Sequence, residues 1–318
     1  MKPSRRQSLS FLGFVLPNLS GFLVFTAGPV LFSLVVAFSN WNLQATVPFR
    51  WIGVTNFVKL AHDPAFWQCL VNTIYLLIGL PVSIAGSLFL AILLNQKLRG
   101  MVAYRTMFYI PSFTAGVALM ILWKYLYNPD FGPINGAISV VSSFLHIHVD
   151  PPQWLLSTKN VFGLDIERLG VVASQWGLGA RDAMIIMGIW TGIGGGNMLL
   201  YLAALTNVPE ELIEAGQLDG ANKWQLFRHI TWPQLAPTTF FIVIMSFIGG
   251  FQGGFEQARV MTGGGPAGTT KTIAYYIYSK AFEEFQIGYA SAMSWVLFAL
   301  IFAITMVNWK IGNRETSY

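Results

Sequence analysis

Asn207-Val-Pro-Glu-Glu-Leu-Ile-Glu-Ala-Gly-Gln-Leu-Asp-Gly-Ala-Asn-Lys-Trp-Gln-Leu-Phe-Arg-His-Ile-Thr-Trp-Pro233 is a polar stretch set between two long runs, 183–208 and 230–255, that hold no Asp, Glu, Lys or Arg. Pro209 suits the first helical position, and Glu210 and Glu211 suit the positive end of a helix dipole. A short helix can therefore run to about Leu218 and stop at Gly220, because glycine adopts left-handed backbone angles cheaply. Asn222 can cap a second short helix that places Trp224, Phe227 and Ile230 on one face and ends before Pro233. Spacing predicts a rigid helix, turn, helix device, able to dock in a groove on a soluble protein or to rest on lipid headgroups.

The flanking runs are two of several. Residues 7–49, 64–96, 106–123 and 285–309 are also free of Asp, Glu, Lys and Arg. Of 318 residues, 10% are charged and 54% are hydrophobic, and mean hydropathy is +0.55. A soluble domain carries about 25% charged residues, so this chain could not cover itself with polar surface in water. One cysteine excludes a disulfide scaffold, and the basic residues form no nucleic-acid-binding cluster. A bilayer core of about 30 Å needs about 20 mostly apolar residues per helix. Six segments meet that need: 11–38, 68–94, 106–125, 183–205, 235–252 and 288–309. The third is the weakest, with Lys124 near its end and Pro111 inside it. The first is too long an apolar run for a cleaved signal peptide and reads as a retained anchor.

An even number of spans puts both termini on one side. With that side inside, the inner segments hold ten basic and five acidic residues and the outer ones nine of each, although the inner segments are only about half as long. The whole net charge of +5 then lies on the cytoplasmic face, which explains a pI near 9.3. The longest outer connection, about 128–182, is expected to hold one or two short helices. Pro81 and Pro111 interrupt helical hydrogen bonding, and Gly192, Gly194, Gly195 and Gly196 thin one side of the fourth span for close packing. No ionisable residue lies deep in a span, so a proton or ion relay is not expected and energy must come from another polypeptide.

Glu214, Ala215, Gly220, Ile230 and Pro233 fit the pattern E-A-A, three residues, G, nine residues, I, one residue, L-P, with Gly216 in place of the second alanine and Trp232 in place of leucine. The stretch resembles the EAA loop of permease subunits in binding-protein-dependent ABC importers. Asp63-Pro-Ala-Phe-Trp67, Leu98-Arg99-Gly100, Ile110-Pro111, Trp123-Lys-Tyr-Leu-Tyr127, Arg259-Val-Met-Thr-Gly-Gly-Gly-Pro266 and Gly288-Tyr-Ala-Ser-Ala292 extend the likeness to carbohydrate permeases of the maltose-transporter first-subunit type. The resemblance implies an all-α polytopic protein with six transmembrane helices and a MetI-like fold, in the bacterial inner membrane with both termini cytoplasmic. Residues 1–66 would form the N-terminus, first span and first periplasmic loop, 67–310 the five-span permease core with its EAA loop at 207–233, and 311–318 a cytoplasmic tail.

The same resemblance implies a second permease subunit, two cytoplasmic ATPases and a periplasmic or lipid-anchored sugar-binding protein, with no nucleic acid involved. ATP and Mg would be bound by the ATPases, this chain needing no cofactor, metal or catalytic site. It assigns Glu214, Ala215, Gly216, Asp219 and Gly220 to coupling with the ATPase, and the aromatic pair Trp224 and Phe227 joins them on geometry. The transported solute would be a mono- or oligosaccharide. Two alternatives stand beside it: a permease for a phosphorylated polyol such as glycerol-3-phosphate, and a polytopic membrane enzyme or anchor. Gly263–Thr272 lacks the spacing of a phosphate loop and reads as an outer turn, and His146, His148 and Asp150 as a solvated turn rather than a metal site.

Overall fold

The computed structural model describes residues 5–44, 48–96, 99–114, 116–163 and 176–312, and every ordered element among them longer than an isolated bridge is helical. Five helical stretches are long and apolar enough to cross a membrane: Gly13–Ala37, Pro64–Leu94, Ala180–Thr206, Lys223–Gln252 and Ile287–Lys310. A bent pair, Met101–Phe113 and Gly116–Leu126, brings the number to six if it crosses as one span. We label the elements α1 (residues 5–37), α2 (Thr55–Ala61), α3 (Pro64–Leu94), α4 (Met101–Phe113), α5 (Gly116–Leu126), α6 (Pro133–Leu145), α7 (Ala180–Thr206), α8 (Glu210–Leu218), α9 (Lys223–Gln252), α10 (Ile273–Tyr278) and α11 (Ile287–Gly312).

Prolines shape these helices. In α1 and α9 a π-helical turn, Leu23–Ala27 or Phe227–Thr231, comes just ahead of Pro29 or Pro233. A proline ring crowds the carbonyl four residues back and offers it no N–H, and the wider turn relieves that clash without ending the helix. In α3 the helical pattern breaks at Ile78, next to Leu77, whose carbonyl Pro81 cannot satisfy. The third span departs from expectation most. In place of one helix over 106–125, α4 and α5 meet at 92°. Pro111 removes a donor near the end of α4, and hydroxyls take up the carbonyls there: Ser112 Oγ donates to Tyr109 O at 2.7 Å and Thr114 Oγ1 to Ile110 O at 3.4 Å. The backbone leaves the helix at Thr114, which is extended.

The chain divides into two compact units, Met1–Asp63 with Ile277–Leu300, and Pro64–Tyr276 with Ile301–Tyr318. In the first, Asn56 Nδ2 donates to Ala37 O and Ser39 O, both at 2.8 Å, satisfying carbonyls at the end of α1. Tyr289 donates to Asp63 Oδ2 at 2.6 Å, and the Lys59 ammonium lies 4.6 Å from the Tyr289 ring centroid. In the second, one core gathers Ile84, Leu88, Met198, Tyr201, Leu235 and Ile242 from α3, α7 and α9. Another joins Met120, Trp123, Tyr127, Trp154, Met184 and Met261. The expected glycine packing is present at two of the four positions: a Cβ on Gly194 would collide with the Phe108 carbonyl of α4, and one on Gly192 with Ser83 Oγ of α3, whereas Gly195 faces only its own turn and Gly196 has open space. Ser87 Oγ donates to Gly192 O at 3.1 Å across the same contact.

Candidate functional site: the connection between the fourth and fifth spans

Helix α8 begins after Pro209, which takes the N-cap rather than the first helical position. Glu210 and Glu211 fill the first turn, where unpaired N–H groups favour negative charge. The helix ends as the sequence predicts. Gly220 has φ +82°, its N–H donates to Gln217 O at 3.0 Å, and Ala221 N–H donates to Gly216 O at 2.9 Å. Those two bonds make a Schellman motif, in which the last carbonyls of the helix are satisfied by the chain that leaves it. Asn222 then caps α9: its Oδ1 accepts from Gln225 N–H at 2.9 Å, while Gln225 Oε1 accepts from Asn222 N–H at 2.8 Å. The turn is fixed on both sides by its own backbone groups.

The second helix does not end before Pro233. It runs on through the π-helical turn as the start of the fifth span, Lys223–Gln252. Proline inside a helix is tolerated here because Trp232 N–H reaches back five residues to Phe227 O. Consequently α8 is tied by a short, hydrogen-bonded turn to a helix thirty residues long. Gly216 sets how closely they approach, since a Cβ there would stand 2.7 Å from Leu226 Cδ2 and 3.0 Å from Ile230 Cδ1. The glycine that breaks the E-A-A pattern has a packing reason.

Trp224, Phe227 and Ile230 do not form one exposed face. Trp224 is 68% exposed, whereas Phe227 is half-buried against the core shared by α3, α7 and α9, and Ile230 is half-buried beside Gly216. The rings of Trp224 and Phe227 lie 5.7 Å apart, and Phe227 continues to Trp232 at 6.2 Å. Glu214, Ala215, Asp219 and Gly220 are exposed. Two residues join this surface that the motif did not mark, Leu212 and Leu218, the latter 90% exposed. Their spacing around Ala215, three residues to either side, was the available signal. The surface is thus apolar at Leu212, Ala215, Leu218 and Trp224 and acidic at Glu210, Glu211, Glu214 and Asp219. Exposed apolar side chains set among charged ones are found where a protein partner or a lipid surface is bound.

The other candidates resolve as structure. Gly263–Thr272 is a strapped turn: Asn72 Nδ2 donates to Gly268 O at 2.8 Å and to Lys271 O at 3.1 Å, and Thr262 and Thr270 hydroxyls meet at 2.6 Å. His148 and Asp150 lie 3.4 Å apart and almost fully exposed, and no cluster among the described residues could hold a metal ion. The long outer connection, about 128–182, lies partly outside the described residues.

The model of the family described as binding-protein-dependent transport system inner membrane component matches residues 68–309. The chain belongs to that family. This permease is 34% identical over 319 residues to the probable ABC transporter permease protein YesP of Bacillus subtilis, across 99% of this chain and 94% of that one. It is 32% identical over 306 residues to the lactose transport system permease protein LacF of Rhizobium radiobacter, across 95% and 93%. Its fold matches, at TM-score 0.75 and 23% identity over 98% and 96% of the two chains, a bacterial alginate ABC transporter crystallised with an alginate pentasaccharide-bound periplasmic protein. The matched stretch contains α8 and all spans except the first.

Proposed function

We propose that the permease carries sugars inward across the bacterial inner membrane and takes its energy from ATPase subunits gripping α8 from the cytoplasm. The observation that carries this reading is mechanical: an exposed apolar and acidic helix is held by paired caps to the base of the fifth span. Force applied to α8 therefore moves α9 with it. A few kcal/mol of differential binding between two ATPase states is enough to change which end of the pathway is open. Glu214, Ala215, Gly216, Asp219 and Gly220 set the shape of the gripped element. Trp224 belongs to the gripped surface, and Phe227 transmits load into the core.

Both termini are placed in the cytoplasm by the basic residues of the short connections, and α8 with them. The partners are a second permease subunit, two ATPases that hold ATP and Mg, and an external sugar-binding protein, while this chain performs no chemistry of its own. The sugar class rests on the relatives, a lactose permease and an alginate transporter. ATP-driven uptake of labelled lactose, an oligosaccharide mixture and sn-glycerol-3-phosphate into proteoliposomes holding the co-purified subunits tests it. Saccharide uptake that requires both ATP and the binding protein is expected. Uptake of the phosphorylated polyol alone, or transport without ATPase, would reject it.

A further inference from the structure

Helix α6, Pro133–Leu145, follows α5 in the chain and is apolar on two faces. Its inner face is accounted for. Asn135 is buried, its Nδ2 donating to Pro129 O at 3.1 Å and to Pro152 O at 3.2 Å, and its Oδ1 accepting from Trp154 Nε1 at 2.7 Å. Beside it, Ile134 and Ile138 pack against the core that holds Trp123 and Tyr127. The other face points away. Pro133, Ala137, Val140 and Phe144 recur at helical spacing on the side opposite Ile138, and all four are exposed, Val140 by 69% and Phe144 by 81%. Ser139 and Ser143 fill the arc between the faces. The helix also closes on itself: Ile147 N–H donates to Ser142 O at 3.1 Å and His146 N–H to Ser143 O at 3.3 Å, with His146 at φ +53°, so those end carbonyls need no water.

We propose that the Val140 and Phe144 face is sunk in lipid, with α6 lying flat at the headgroup boundary beside the end of α5; the inference goes beyond the transport reading and holds whatever solute is carried. Length, composition and continuity all select lipid. At 13 residues α6 rises about 20 Å, too little to cross a core of about 30 Å. Residues 131–149 hold no Asp, Glu, Lys or Arg, and the exposed stripe lacks the Trp, Tyr and Arg anchors on which protein interfaces depend. The stripe also continues the exposed apolar side of α5, Val117, Ile121 and Tyr125, through the contact of the Tyr125 and Phe131 rings at 5.7 Å. Lys124 and Tyr125, which end that side, are residue types that settle at headgroup level, and α6 begins one short turn later. With no basic residue on the helix, insertion rests on apolar burial and not on attraction to anionic headgroups.

The test uses the permease co-purified with its partner subunits, in phosphatidylcholine nanodiscs. A Cys69→Ala background carries one new cysteine, Phe144→Cys or Ser139→Cys, labelled with an environment-sensitive fluorophore. Lipid brominated on its acyl chains is expected to quench the Phe144→Cys probe at least about twofold more than the Ser139→Cys probe, and aqueous acrylamide to do the reverse. Neither result should change with salt or with added phosphatidylglycerol. Val140→Cys, on the same face, gives the same reading should Phe144→Cys lower the melting temperature. Acrylamide reaching both probes equally would mean a wet face and overturn the proposal. So would protection of the Phe144→Cys and Val140→Cys probes from both quenchers, or loss of their lipid quenching when binding protein is added, each of which assigns the face to a protein partner.

Discussion

Gly220 has nothing within 4 Å of where a Cβ would stand, yet its φ of +82° excludes most side chains. Gly220→Val should cost about 1–2 kcal/mol locally by forcing a β-branched residue into left-handed angles. Because the site is exposed, the permease should still insert and purify, but ATPase co-purification and ATP-driven uptake should fall at least about tenfold, since about 1.4 kcal/mol is a factor of ten and loss of the Schellman bonds adds to the backbone strain. Gly220→Asn, which tolerates those angles, should keep most of both. Wild-type uptake in the valine variant would remove α8 from the coupling path. Gly216→Ala is milder, because the added methyl meets only the ends of Leu226 and Ile230, and uptake should persist. Elsewhere, Arg181 is 1% exposed with no hydrogen-bond partner for its guanidinium among the described residues, 4.8 Å from the Tyr75 ring centroid and beside Asp182. Asp182 accepts from Tyr75 OH at 2.6 Å and from Gly179 N–H at 3.1 Å. Asp182→Asn should lower the melting temperature of the detergent-solubilised protein, by an effect of about 3 kcal/mol, since it leaves a buried cation uncompensated. Adding Arg181→Met should recover much of the loss; independent, additive losses would refute the coupling.

The π-helical turn Phe227–Thr231 stands between the gripped surface and the membrane-spanning part of α9, so at the scale of the element it decides whether pull becomes motion. Replacing Arg228 and His229 together with glycine should soften that turn by about 1 kcal/mol per residue while leaving Leu212, Leu218 and Trp224 untouched. ATPase should then co-purify normally while uptake falls several-fold, the reverse of the Gly220→Val result, in which attachment itself is lost. Intact uptake would show that α9 need not be stiff. The turn also marks where sequence reading stopped. Caps and the left-handed glycine were legible, because Asn222, Gln225 and Gly220 satisfy backbone groups a few residues away. Whether Pro233 ends a helix or is absorbed by a wider turn depends on packing by Phe227 and Trp232 against distant spans, which no local pattern encodes. The 92° break between α4 and α5 was foreshadowed only as weakness, by Pro111 and Lys124. Leu218 escaped because an exposed leucine on a short helix is noticed only once its exposure is seen.

For the whole molecule, the spans were legible because lipid leaves the backbone no alternative partner, so long uncharged runs must be helical. A cavity lined by Lys124 and Arg259 was not, since the two are 135 residues apart in sequence and reach its walls only through the fold. The coupling role proposed for α8 requires it to lie inside. Lys and Arg in short connections support that orientation, because each resists passage outward near the ends of a span. The densest group near the first span is Lys2, Arg5 and Arg6, and the connections holding Lys97, Arg99 and Arg105, and Lys223 and Arg228, fall on the same side only if an even number of spans lies between them. On the proposed orientation the α4 and α5 pair crosses as one unit despite its bend. Alkaline phosphatase fused after Ala221 should be inactive and after Gln153 active, since the enzyme folds only outside the cytoplasm. Inactivity after Gln153 together with activity after Ala221 would mean that α4 and α5 form a re-entrant loop with five true spans, which would move α8 outside, beyond the reach of any cytoplasmic ATPase.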